Sequence, residues 1–553
     1  MRNRSKTNYL TMFFFTIAGM IGLFAIETHA AAISWNDAVL VENRAGAAST
    51  PQIAVDKSGN IMAVWAQPDS IFQNIYANLY VPGSGWGAAA LIESSDMPAD
   101  DPQIAVDSSG NFMAVWRQAW KTVNGARYGV YSNRYVAGAG WGAASLVFVN
   151  TDNADITASA DIQIACDPNG NAVAVWSVYD WSWNHTSVRA NRYAVGTGWA
   201  GVVNLSTEAV QAAYGASVAM DANGNAAVVW SQNIGASALQ GIHAVMYAAG
   251  TGWGAPERIE SGTEAATRSG SGCQIAFDDG GNAIAVWYQY SKPGIYSNRY
   301  SLASGWGAPV GIVDTGATSY DEGVRLSIDN NGNAIAVWNQ YGGKLYANRY
   351  VAGTGWGTTA VVESNGADYS ENIAFDQNGN AMAIWGNYSC NSYNIQATRY
   401  VIGTGWGPVA RCYEVSPFVN KTPDNASDPH LVIDRHGNAT VVWVQSGNLY
   451  SAVTDMAVSA KPQQGISRAV SGAGLFDVSV RNKTAYYSIP VNSSVSLVVY
   501  DTRGAAVMTL VNQRQTAGKH TLALPGHELR KGQYLVRCTA GNSVVVRRFV
   551  AID

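Results

Sequence analysis

DKSGNIMAVW (Asp56–Trp65), DSSGNFMAVW (Asp107–Trp116) and DPNGNAVAVW (Asp167–Trp176) are copies of one pattern, Asp-x-x-Gly-Asn with a Trp nine residues after the Asp. The pattern returns at Asp221–Trp230, Asp278–Trp287, Asp329–Trp338, Asp376–Trp385 and Asp434–Trp443, which makes eight copies. Successive Asp residues lie 51, 60, 54, 57, 51, 47 and 58 positions apart. A fixed motif on a loosely varying period marks an array of supersecondary units whose loops differ in length.

Each Asp closes a short apolar run such as QIAVD or NIAFD, and each Asn opens another such as NAIAVW. Two such runs around a Gly-containing turn read as a hairpin. The Gly supplies positive φ, while the Asp and Asn side chains can bond the turn backbone. Calcium is the competing reading, but an EF-hand-type loop places its Gly later and needs a distal Glu. The twelfth position counted from Asp329 is Gln340. The motif is therefore expected to be structural, with no metal and no cofactor.

With 13% charged residues, Gly 57, Trp 19 and Tyr 28 in 553 residues, the chain is expected to be all-β, built of many short strands. A formal charge of −5 leaves no electrostatic footprint for nucleic acid. Arg2, Arg4 and Lys6 precede an apolar run from Tyr9 to Ile26, and Thr28-His29-Ala30 offers a cleavage site. Residues 1–30 read as a secretory signal peptide, the alternative being an uncleaved anchor. The five cysteines lack CxxC spacing. Cys166 stands where other copies carry Val and is expected to act as a small hydrophobe. Cys390 and Cys412 fall in one repeat, where export would permit a bridge; the spacing leaves it open.

Downstream of each motif comes a third run (YANRY at Tyr346–Tyr350, YSNRY at Tyr296–Tyr300), a turn of the AGTGWG type and a fourth run. Four strands in about fifty residues is the size of one propeller blade. The second Trp of each unit is Trp86, Trp141, Trp199, Trp253, Trp306, Trp356 or Trp406, one short of eight. The missing copy lies near the start: SWNDAVLVEN (Ser34–Asn43) matches GWGAAALIES (Gly85–Ser94), and the last unit stops at NLYSAVTD without a fourth strand. An eight-bladed β-propeller over residues 31–456, closed by its N-terminal strand, follows, because closure leaves no unpaired edge between blades. The repeated Trp residues, and the Arg of the NRY strand, are expected to be packing residues.

Two patches could carry function. The turns at one end of the ring are uniform, whereas the second-to-third connections and the links between units vary; function tends to sit on variable loops. RQAWKTVNGARYG (from Arg117) and SVYDWSWNHTSV (from Ser177) hold the non-repeat tryptophans Trp120, Trp181 and Trp183, with Tyr128, Tyr179, Asp180, Asn184 and His185. Aromatic platforms beside Asp, Asn and His suit sugar rings, which offer apolar faces and hydroxyl edges. The alternative is that these aromatics pack the loops onto the ring. The second patch is the channel mouth, with Asp101, Asp161, Glu322, Arg325, Glu371, Asp428 and His430. Carboxylates there could act as acid and base in glycoside cleavage, or simply be solvated loop charges. No nucleophile elbow, HExxH or phosphate loop is present.

After a small-residue linker (457–474), residues 475–553 carry YSIP (Tyr487–Pro490), LVVYDTRG (Leu497–Gly504), GKH (Gly518–His520), spaced Leu529, Gly532 and Tyr534, then Gly541 and a closing RRFVAID. This segment resembles the C-terminal sorting domain of type IX (Por) secretion substrates, a small immunoglobulin-like sandwich. Arg547 and Arg548 stand where the commoner ending is Lys-rich. The resemblance implies the type IX machinery as a partner, export across a Gram-negative outer membrane, and surface attachment or release. The repeats resemble uncharacterised secreted bacterial propellers and lack the Ser-x-Asp-x-Gly-x-Thr-Trp box of sialidases. The leading expectation is a monomeric, exported binding protein for polysaccharide or glycoconjugate. A propeller hydrolase or lyase and a protein-binding adhesin are the alternatives.

Overall fold

The computed structural model describes residues 33, 35–69, 71–122, 125–149, 154–156, 161–206 except 181–184, 212–234, 240–260, 272–289, 293–313, 321–340, 343–364, 367, 371–389, 392–407, 409, 425–455, 477–481, 484–489, 492–500, 506–524, 532–540 and 543–551. The signal peptide, the linker, Cys390 and Cys412 lie outside the described residues. The chain divides into two compact units, Met1–Gln463 and Gln464–Asp553. Among the described residues every element is a β-strand.

In the first unit each repeat forms its own antiparallel sheet, giving a propeller-like repeat region. In the second repeat, Ala99–Val106, Phe112–Thr122, Gly125–Val136 and Gly140–Trp141 follow one another across the sheet, and Ser145–Phe148 resumes the outer edge. The fourth run, expected as one strand, is thus two short pieces in most repeats. The break has a cause: Asn133 Nδ2 donates to the Gly142 carbonyl at 3.0 Å, and the same amide nitrogen donates to the Ile92 carbonyl of the preceding repeat at 2.8 Å. The chain leaves its ladder there to serve this buried Asn.

The motif turn follows from its residue types. Asp107 Oδ1 accepts the backbone N–H groups of Ser109 and Asn111 at 2.8 and 2.9 Å, and Oδ2 accepts Asn111 Nδ2 at 2.7 Å. Asn111 Oδ1 then accepts the Ala137 N–H of the neighbouring turn at 3.0 Å. A carboxylate that receives three hydrogen bonds within its own turn has little coordination left for a cation. Glycine is needed twice over at Gly170: its φ is +87°, and a Cβ there would stand 2.7 Å from Asp107 Oδ2 of the preceding repeat. Gly110 meets Asp56 in the same way at 2.9 Å, Gly332 meets Asp278 at 2.9 Å, and Gly59 meets Asp434 at 3.3 Å.

Packing accounts for the repeated aromatics. The motif tryptophans, Trp65 through Trp443, are at most 1% exposed. The second tryptophans are half-buried, edge-on to the Tyr of the NRY strand, as in Tyr135–Trp141 (5.7 Å, 69°) and Tyr350–Trp356 (5.6 Å, 66°). The NRY arginines are structural as well: Arg134 pairs with Asp107 at 3.3 Å and Arg299 with Asp278 at 3.6 Å. Cys166 is half-buried rather than sealed in the core, and burial pushes its thiol pKa upward.

The N-terminal segment Val39–Leu40 pairs antiparallel with Asn448–Asp455 of the last repeat, Val39 opposite Ser451 and Leu40 opposite Tyr450. Two bonds that join neighbouring repeats recur at this junction. Asn78 Nδ2 donates to the Val41 carbonyl at 2.7 Å, as Asn298 does to Ile259 and Asn348 to Ile312, both at 2.8 Å. Trp86 Nε1 donates to Ser451 Oγ at 2.7 Å, as Trp356 does to Ser297 at 2.7 Å.

The second unit holds two antiparallel sheets. Asp477–Arg481, Thr484–Ile489 and Gly518–Ala523 form one; Ala506–Gln515, Ser493–Tyr500, Gly532–Ala540 and Ser543–Ala551 form the other. They share a core that includes Ile489, Val495, Leu497, Val499 and Val536. Tyr487 Oη donates to Gln515 Oε1 from one sheet to the other at 2.7 Å. Burial pushes the Cys538 thiol up to about 11.

Candidate functional site

The segments expected as loops are largely strand. Trp120 and Tyr128 lie on the hairpin Phe112–Thr122/Gly125–Val136, and Tyr179, Asp180 and His185 lie on Ala172–Asp180/His185–Ala194. In both hairpins the ladder runs on well past the motif Trp, to the pairs Thr122–Gly125 and Asp180–His185. Trp181, Trp183 and Asn184 lie outside the described residues, as does the side chain of Asp180.

Trp120 is half-buried and stands opposite Arg127, with Gly129 beneath its ring: a Cβ on Gly129 would meet Trp120 Cζ3 at 3.1 Å. Tyr128 packs its inner face on the cluster of Val130, Phe148 and Ile162 and carries the Arg117 guanidinium 4.6 Å from its ring centre. Arg117 is held by a two-pronged pair to Asp100, Nε to Oδ1 at 2.6 Å and Nη2 to Oδ2 at 2.5 Å, with Asp101 at 3.9 Å. Aromatic hairpin and channel-mouth carboxylates, separate in the sequence, therefore form one patch in the second repeat. Sequence reasoning missed Arg117 and Asp100. A signal existed: Arg117 follows the motif Trp, where the other copies have Ala66, Ser177, Ser231, Tyr288, Asn339, Gly386 and Val444, and Asp100 faces it across the ladder.

Asp101, Asp161 and Asp428 have φ of +50°, +42° and +51°. All three stand six residues before a motif Asp, where the first strand bulges; Thr50, Gly215 and Gly323 hold the same position with φ of +47°, +64° and +82°. Asp tolerates the left-handed region better than most residues, so part of the reason for Asp here is conformational. Their surroundings still matter. Burial raises the Asp101 pKa, with Asp100 adding to the rise, Arg117 opposing it and Asp161 contributing further. Partial desolvation also raises that of Asp161, an exposed residue whose carboxylate accepts the Gly215 N–H at 3.2 Å, a bond that opposes the rise.

Of the residues expected at a channel mouth, Arg325 lies close enough to Glu371 and His430 to act on both. Glu371 is 4% exposed, and burial raises its pKa against the opposing charge of Arg325. Burial, aided by Arg325, lowers His430 to about 4, and its Nε2 lies 3.3 Å from Gln52 Nε2 of the first repeat. The Glu322 side chain lies outside the described residues. Arg325, Glu371 and His430 offer a carboxyl biased toward its protonated form, a neutral imidazole and a fixed cation, a set able to donate to, and accept from, hydroxyl groups. Among the described residues no three His, Cys, Asp or Glu side chains are placed to hold a metal ion.

Two cavities lie among the motif turns. One of about 300 Å³ is lined by Asp56, Lys57, Asp107, Asp221, Asp278 and Asp279 among others. Its motif carboxylates are already engaged by their own turns.

Residues 483–552 match the family described as the secretion system C-terminal sorting domain. That segment marks a type IX substrate and indicates secretion, with display at the cell surface or release. None of the curated proteins matches the chain. Similar solved structures include a protein of unknown function from Dyadobacter fermentans (13% identity, 60% of this chain and 97% of that one, TM-score 0.33). A six-bladed propeller lectin with a fucose recognition mode, from Aleuria aurantia, matches at 13% identity over 58% and 97%, TM-score 0.33. The NanB sialidase of Streptococcus pneumoniae matches at 10% over 77% and 70%, TM-score 0.32. At such scores no property of these proteins transfers to this chain.

Proposed function

We propose that the eight repeats close into an eight-bladed propeller through the N-terminal strand, and that this propeller binds polysaccharide or glycoconjugate without covalent chemistry. The division into a signal peptide (1–30), propeller (31–456), linker (457–474) and sorting domain (475–553) belongs to the same reading. Closure is supported by the pairing of Val39–Leu40 with the last repeat and by the two junction bonds repeated there. The binding site is the patch of Trp120, Tyr128, Tyr179, Asp180, Trp181, Trp183 and His185, bordered by Asp101 and Asp161.

The observation that carries the glycan reading is the Tyr128–Arg117–Asp100 arrangement. An aromatic ring is fixed in place by an ion pair, and Asp101, whose pKa burial raises, lies against the same arginine. A stacking surface with donors and acceptors already oriented keeps the ordering cost of binding small. The test is retention of the purified chain on soluble and insoluble polysaccharides beside a Trp120→Ala/Trp181→Ala/Trp183→Ala variant, with reducing ends assayed in the same tubes. Binding weakened in the variant, without release of reducing ends, is the expected result. Equal binding by both proteins removes the site; no binding to any polysaccharide removes the ligand class and favours an adhesin.

A second reading, a glycoside hydrolase or lyase, has one observation in its favour: Glu371, Asp101 and Asp161 at the channel mouth all have pKa values raised by desolvation, as a general acid needs. It requires release of reducing ends that Glu371→Gln or Asp161→Asn abolishes while binding persists.

A further inference from the structure

The register of the sheets places aromatic residues at one recurring station. Three residues beyond the motif Trp, Tyr179 of the third repeat faces Thr186, and Ala119 of the second faces Tyr128. In the seventh repeat the same step from Trp385 leads to Tyr388, and its cross-strand partner is Tyr393. Tyr388 therefore occupies the position of Tyr179, and Tyr393 that of Tyr128. Their ring centres are 4.9 Å apart, inclined at 57°, yet the residues remain 52% and 43% exposed. Packing of the two rings on each other leaves outer faces in water, which a residue serving only the core would not do.

The hairpin that carries them is anchored. Asn387 and Asn394, next to the pair, are at most 2% exposed, and the Tyr393 N–H donates to Asn425 Oδ1 of the following repeat at 3.0 Å. That following repeat is low: its second and third strands, Asn438–Gln445 and Asn448–Asp455, are joined across a two-residue turn. Among the described residues, the tyrosines thus stand beside the shorter hairpin of the following repeat. In an eight-membered ring the seventh repeat lies across the axis from the third.

We infer that Tyr388 and Tyr393 form a second carbohydrate-stacking station, which engages the same polysaccharide chain as the site on the second and third repeats. This rests on the glycan reading proposed above. Two stations on a rigid scaffold convert the second contact into an intramolecular one, so long chains gain far more than short ones. The phenol faces stack on the apolar faces of sugar rings, and the hydroxyls reach their edges.

The experiment uses the purified chain, its Tyr388→Ala/Tyr393→Ala variant, the corresponding Phe pair, and the triple Trp variant named above. The probes are barley β-glucan, xylan and chitosan, each as polymer and as trisaccharide, read by affinity electrophoresis and calorimetry. Both tyrosines are exposed, so equal melting curves for the variants and the native chain are the control for folding. The expected result is a loss on the order of a hundredfold for the polymer in the Ala pair. The trisaccharide keeps its affinity at half the number of sites, and the Phe pair retains most binding. Polymer binding weakened by the tyrosine change but not by the tryptophan change supports the station and removes the site on the second and third repeats. Polymer binding indifferent to the tyrosines but lost with the tryptophans overturns the station alone. Absence of binding to every probe overturns both.

Discussion

Asn78→Ala tests ring closure against a built-in reference. Asn78, Asn133, Asn298 and Asn348 are 2–3% exposed, and each donates twice from Nδ2: once to a glycine carbonyl in its own repeat and once to a carbonyl of the preceding outer strand. For three of them that strand belongs to the adjacent repeat; for Asn78 it is the N-terminal segment, at Val41. Truncation removes two buried hydrogen bonds at about 1 kcal/mol each and leaves carbonyls unsatisfied, so each variant should lose about 2–3 kcal/mol. If the N-terminal strand sits in solution as an ordinary outer strand, Asn78→Ala should cost the same as the other three. The assay is urea unfolding of the full chain followed by tryptophan fluorescence, well suited to a molecule whose motif tryptophans are all buried. A cost of about 1 kcal/mol or less for Asn78→Ala, the share of the Gly87 bond alone, with the full cost at the other three, would refute the closed ring.

Three further outcomes follow from the geometry. Gly170→Ala and Gly196→Ala both place a side chain at positive φ, +87° and +81°, but only the first drives it into Asp107, since Gly196 has nothing within 4 Å. Gly196→Ala should cost about 1–2 kcal/mol and Gly170→Ala about 1–3 kcal/mol more; equal costs in unfolding curves would mean the turns do not abut. Burial, with Arg325, lowers His430 from 6.5 to about 4, so the unfolded chain takes up its proton first and stability is lost as pH falls across that window. His430→Gln should therefore gain on the order of 3 kcal/mol relative to the native chain between pH 7 and pH 4, and a pH-independent difference would contradict a neutral imidazole at this position. Removal of residues 477–553 should trap the protein behind the outer membrane of a type IX-competent host, scored by cell fractionation; undiminished export would show that the sorting domain is dispensable.

Much of the fold was legible because its causes are local. The Asp-x-x-Gly-Asn turn closes on its own side chains, and the Trp-to-Tyr spacing fixes which ring meets which across a ladder, so sequence spacing carries the information. The break in the fourth strand was not legible. It depends on Asn133 reaching a carbonyl 41 positions away, and the strand's composition holds no trace of that partner. The candidate site divides in the same way. Trp120 and Tyr128 stood out as departures from the repeat, whereas Arg117 was hidden, since its meaning lies in Asp100, 17 residues earlier and one ladder rung across. Tyr388 and Tyr393 escaped notice because tyrosine is common in these strands and only register separates an exposed pair from a packed one.

The clasp between Val39–Leu40 and Asn448–Asp455 also has a mechanical side. If the sorting unit were held at a surface, tension on the chain would enter the repeats at Asp455. It meets there a strand gripped on one flank by Asn438–Gln445 and on the other by the N-terminal segment. Withdrawal of that strand along its own direction must shear both ladders at once instead of opening them rung by rung, and the Trp86–Ser451 bond rivets it to the first repeat. A strand held on both flanks in this way would resist such tension by shear.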